Sequence, residues 1–101
     1  MNAPALTARE LEMMRSIFRR HPEVTSATLF GSRAKGTHNE RSDVDLVVTG
    51  DVAPLRAEAI AAELDELPLP YRFEVQPLAY VYHRPLLEHI KRVGLRIYPA
   101  T

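Results

Sequence analysis

Two carboxylates, Asp43 and Asp45, stand in the run "SDVDLVVTG", beside the apolar residues Val44, Leu46, Val47 and Val48. Side chains alternate across a strand, so the two acids share one face roughly 6–7 Å apart, while Val44 and Leu46 share the other. Two carboxylates that close repel each other and are costly to desolvate; a divalent cation resolves both problems. Oxygen donors with room for water suit magnesium, which is usually held by one or two carboxylates plus substrate phosphates. Upstream, the apolar run ending at Phe30 breaks at Gly31-Ser32. A strand that ends in Gly-Ser and turns into a short helical segment leaves backbone N–H groups free, and such groups hold phosphate. Gly31 permits close backbone approach, Ser32 adds a hydroxyl donor, and Arg33 and Lys35 add charge near a polyphosphate. A phosphate cradle beside a pair of metal-binding acids points to phosphoryl or nucleotidyl transfer.

Each part has a plainer reading when taken alone. Gly-Ser after a strand is usually only a turn, and Asp-x-Asp on a strand is often a solvated edge. Their combination between two apolar strands argues for a site, because burial of the Val44, Leu46, Val48 face does not call for the acids.

The elements that must position these residues follow from period and punctuation. Thr7-Ala8-Arg9-Glu10 matches a capping box, and Leu11, Met14, Ile17 and Phe18 recur at helical spacing, so a helix is expected from about 8 to 20, ending before Pro22. Val24–Phe30 and Val44–Thr49 read as strands. Leu55, Ala59, Ile60, Glu63, Leu64 and Leu67 describe a second helix closed by Pro68 and Pro70. "YRFEVQ", residues 71–76, alternates as a third strand; "PLLEHIKRV", residues 85–93, is a last helix with Gly94 as its C′ residue; "LRIY" is a short final strand. This order indicates an α/β fold, a small mixed sheet flanked by helices, built as one domain over residues 1–101.

Composition narrows the function classes. Formal net charge is zero, so no bulk attraction to nucleic acid or membrane is expected, although eleven of the thirteen basic residues are arginine, which fits phosphate contact. There are no cysteines, which excludes disulfides and thiolate metal sites. No apolar run approaches the roughly 18 residues of a membrane helix, and the N-terminus lacks a signal pattern, so the cytoplasm is the expected location. His38 reads as a loop residue. His83 and His89 lack ligand spacing to each other or to an acid pair, and Tyr80 and Tyr82 read as rim packing or a contact patch.

Gly31-Ser32, ten intervening residues and Asp43-x-Asp45 together resemble the signature of the DNA polymerase β-like nucleotidyltransferase superfamily. The small size and the ending "LLEHIKRVGLRIY" are similar to its minimal nucleotidyltransferases. The resemblance implies the nucleotidyltransferase fold, with Gly31 and Ser32 on the β- and γ-phosphates of ATP and two magnesium ions held by Asp43 and Asp45. It also implies a third carboxylate on a later strand, normally an aspartate. Here the matching residue is Glu74, which would ligate metal or serve as base. Alternation in "YRFEVQ" puts Glu74 on the acid face if its strand pairs beside Val44–Thr49. The implied partner is a small helical HEPN-type protein in a toxin–antitoxin module, whose tyrosine receives AMP; self-association stays open. The rival readings are an inactive transferase that neutralises its partner by contact, and a transferase for a small molecule.

Overall fold

Thr7 starts the first helix. Its hydroxyl accepts from the Glu10 N–H, and the Glu10 carboxylate accepts from the Thr7 N–H in return, so the capping box is complete. The structure is a computed structural model that describes residues 6–31 and 43–99. Its elements are α1 (Ala8–Arg19), β1 (Val24–Phe30), β2 (Val44–Gly50), α2 (Pro54–Asp65), β3 (Phe73–Pro77), a 3-10 turn (Leu78–Tyr80), α3 (Arg84–Val93) and β4 (Leu95–Tyr98). The four strands form one mixed sheet in the order β3-β2-β1-β4. β1 runs antiparallel to β2 and to β4, whereas β2 and β3 are parallel. The expected α/β architecture, a small mixed sheet with flanking helices, is the one observed. No helix among the described residues is long and apolar enough to cross a membrane.

The sheet buries both faces, unequally. On one face α1 brings Met14, Ile17 and Phe18, and α2 brings Ala57, Ile60 and Leu64, against Ala27, Leu29, Val44, Leu46, Val48, Phe73, Val75 and Ile97. These side chains come from alternate positions of β2 and β3, as a period of two requires. Burying a Leu, Ile or Phe side chain is worth about 1.5–3 kcal/mol, so this layer supplies most of the stability. On the other face α3 covers a smaller cluster of Phe30, Val47 and Val81, with Leu78, Leu86, Leu87 and Ile90 at its margin. No residue of α3 is fully buried, so this helix is a partial lid over one side of the sheet.

Several local details depart from the sequence reading. A register shift between Val24 and Ser26 lets Val24 and Ala27 face the same core although only two residues, Thr25 and Ser26, separate them. The third strand begins at Phe73 rather than Tyr71, and the second helix ends at Asp65, before Leu67. Gly94 is the C-cap itself, extended at φ −63 and ψ 141, and not a left-handed C′ residue. Its missing side chain serves close packing, since a Cβ there would lie 2.8 Å from Thr28 Cγ2. The acid-bearing face of β2 is not wholly open to solvent, because Val47 on that face is buried beneath α3.

Candidate active site

Parallel pairing of β2 with β3 sets Asp45 directly opposite Glu74. Opposed residues on neighbouring strands lie about 5 Å apart, so the two carboxylates share one patch of the sheet. This pairing meets the condition on which Glu74 was expected to join the aspartates. The start of β3 is held from two sides. The Val44 N–H donates to the Arg72 carbonyl at 2.8 Å, and the Phe73 N–H donates to the Asp65 carboxylate at 2.9 Å. Tyr71 adds a further tie, its hydroxyl donating to Glu10 at 2.9 Å, with its ring edge-on to Phe73. Phe73 and Val75 turn into the core, which leaves Glu74 exposed on the acid face.

Asp43 lies just before β2 and is exposed, whereas Asp45 is half-buried. Burial pushes the Asp45 carboxyl up from the ordinary 3.8 to about 6, and repulsion from Glu74 and then Asp43 adds to the rise. The rise marks Asp45 as a carboxyl whose charge is disfavoured first by burial and then by two neighbouring acids. A cation placed among them would relieve both causes, so the donor set fits magnesium. Among the described residues no three acid or histidine side chains form a group that could hold a metal ion by themselves. Magnesium does not need one, since it keeps waters and takes substrate phosphate oxygens as ligands.

Gly31 lies on the same patch from the β1 side. Phe30 is the register partner of Asp45, so Gly31 is the first residue beyond the pairing. Its φ is +81, in the region that disfavours side chains, and a Cβ built there would lie 2.5 Å from Asp45 Oδ2. The positive φ calls for glycine, and any side chain here would also have to displace the Asp45 carboxylate. Ser32, Arg33, Lys35 and His38 lie outside the described residues, as does the short helical segment expected after Gly31. Asp43, Asp45, Glu74 and Gly31 are the expected site residues that the structure brings together.

One neighbour was set aside in the sequence for want of ligand spacing. His89, on α3, accepts from the Gly31 N–H through Nε2 at 3.3 Å, and its ring stands edge-on to Phe30 with centroids 6.4 Å apart. The only sequence signal was negative: His89 interrupts the apolar spacing of Leu86, Leu87 and Ile90. Tyr80 and Tyr82 are both exposed, on either side of buried Val81.

Residues 12–100 match the family described as Polymerase beta, Nucleotidyltransferase. No curated protein is matched by the chain. Among solved structures, a chain of a toxin–antitoxin crystal structure with AMP-PNP superposes with a TM-score of 0.73 at 19% identity, covering 92% of this chain and 73% of that one. A chain of the toxin–antitoxin MntA-HepT gives 0.70 at 16% identity, covering 91% and 72%. A chain of the tri-AMPylated Shewanella oneidensis HEPN toxin in complex with MNT antitoxin gives 0.69 at 16% identity, covering 89% and 70%. At these identities the likeness is one of fold.

Proposed function

This chain belongs to the polymerase β nucleotidyltransferase family, and from that premise we propose that it transfers AMP from ATP to a hydroxyl of a HEPN-type partner protein, as the antitoxin of a toxin–antitoxin module. The observation that carries the reading is the pairing of Asp45 with Glu74 against Gly31, with Asp43 close enough to raise the charge cost at Asp45. The fold shared with toxin–antitoxin structures, one bearing AMP-PNP and another an AMPylated HEPN toxin, supports the choice of nucleotide and partner.

In this reading Asp43, Asp45 and Glu74 would hold two magnesium ions, which when bound would supply charge neutralisation for the triphosphate and a lowered pKa for the attacking hydroxyl. Gly31 lets the triphosphate come close to the sheet edge, and Ser32, Arg33 and Lys35 bind its phosphates. The acceptor oxygen attacks the α-phosphorus, the bond to the β-phosphate oxygen breaks, and pyrophosphate leaves. Glu74, exposed at the cleft, takes the hydroxyl proton or orients the hydroxyl. Its extra methylene relative to the family's usual aspartate extends the carboxylate from a strand that Asp65 and Arg72 hold in register. Positioning and charge neutralisation account for most of the rate.

The test uses purified chain, HEPN-type partner, ATP and magnesium, with transfer followed by mass spectrometry of the partner. Wild type should add one or more AMP groups. Glu74→Gln should lose transfer and keep ATP binding, whereas the Asp43→Asn, Asp45→Asn double variant should lose both. Full transfer by Glu74→Gln would remove Glu74 from the chemistry. Tight partner binding without transfer by the wild type would establish neutralisation by contact alone.

A further inference from the structure

We infer that His89 is a positioning residue of the nucleotide site: by accepting the Gly31 N–H at Nε2, it holds Gly31 in its left-handed conformation against Asp45. The inference rests on the proposed nucleotide site at Gly31. It begins from a donor that needs a partner. The pairing of β1 with β2 ends at Phe30 and Asp45, so the next amide, that of Gly31, lies past the ladder. A partly buried backbone N–H without a partner is costly. His89 supplies the partner from α3, at 3.3 Å. An imidazole nitrogen that accepts carries no proton, which puts the N–H of a neutral ring on Nδ1.

Glycine is the residue least able to hold such a conformation by itself, because it populates both signs of φ about equally. Its value of +81 has to be maintained by its surroundings. Two contacts bear on it: His89 at the nitrogen, and the Asp45 carboxylate, whose Oδ2 lies 2.5 Å from where a Cβ would stand. The ring of His89 is fixed in turn by edge-on contact with Phe30, at an interplanar angle of 80°. Helix α3, His89, Gly31 and Asp45 thus form one contiguous chain of contacts from the partial lid to the acids.

The same bond refines the phosphate cradle. With its N–H directed to His89, Gly31 contributes to the site through its bare Cα and its fixed backbone angle; its amide is not a phosphate donor. His89 therefore acts on nucleotide affinity through the conformation of Gly31.

The experiment compares full-length wild type, His89→Ala and His89→Gln. Gln places an amide oxygen near the former Nε2 position and can accept the same bond. Amide exchange at Gly31 is read by NMR, and ATP affinity with magnesium by calorimetry. His89→Ala should speed Gly31 exchange by about tenfold or more, as expected when a locally protected amide opens. It should weaken ATP binding about 2- to 10-fold, the worth of one hydrogen bond. His89→Gln should recover both exchange and affinity. Wild-type exchange at Gly31 in His89→Ala would overturn the hold on Gly31, whatever the nucleotide does. Equal losses in the Ala and Gln variants would also overturn it, by assigning the effect to ring packing on Phe30. Wild-type ATP affinity in the Asp43→Asn, Asp45→Asn protein would instead sink the nucleotide site, and the Gly31 exchange result would stand apart from that failure.

Discussion

Replacing Asp45 by Asn should stabilise the metal-free protein above neutral pH. The Asp45 carboxyl titrates near 6 in the fold against an ordinary 3.8, chiefly through burial, then through Glu74 and Asp43. A folded value above the unfolded one means that stability is fully present below pH 3.8 and is lost as pH rises through 6. At about 1.4 kcal/mol per pH unit, that difference corresponds to about 3 kcal/mol. Asp45 is only half-buried, and solvent screening reduces the figure to about 1 kcal/mol. Asn keeps the shape and removes the charge. In a domain of this size about 1 kcal/mol moves the melting temperature by about 5 °C. Melts in EDTA from pH 4 to pH 8 should show wild type and Asp45→Asn close together at the acid end, diverging as pH rises from 3.8 to about 6 and separated by about that amount above it. In a Glu74→Gln background the gain should shrink and persist, because burial remains when the neighbouring charge is gone. A variant less stable than wild type at pH 7.5, or an offset of equal size at every pH, would refute the charge-cost account of the site and make Asp45 a structural residue.

Gly31→Ala forces a side chain into a left-handed backbone, at about 1–2 kcal/mol, and sets its Cβ against Asp45 Oδ2. It should lower the melting temperature and abolish ATP binding with magnesium; wild-type affinity by calorimetry would contradict the close approach at Gly31. Asp65→Ala removes the acceptor of the Phe73 N–H and should cost about 1 kcal/mol in a urea titration. It should also slow AMP transfer while leaving ATP binding in place, since it loosens the strand that carries Glu74; an unchanged transfer rate would show that Glu74 does not depend on that tie.

The elements were legible in the sequence because their signals are local. The capping box at Thr7 and Glu10 acts over one helical turn, and the alternation of Val44, Leu46 and Val48 needs only one buried face. Pro85 marks a helix start because its φ is preset whatever surrounds it. The Gly31-Ser32 to Asp43-x-Asp45 spacing belongs to the same class of information: it shows which residues could do chemistry together when the intervening loop folds back. What only the tertiary structure decided was the company those residues keep. Asp45 meets Glu74 because β3 adds to β2 in parallel, at the edge opposite β4, and no pattern within either strand specifies which edge or which register it takes. The bulge at Val24 and Ser26 likewise depends on β2 lying alongside. His89 reaches Gly31 because α3 returns over the face that α1 and α2 leave open, burying Phe30 and Val47 beneath Leu87 and Ile90. Its role rests on contact across 58 residues of chain, where loop closure and face burial set geometry and helical period is silent.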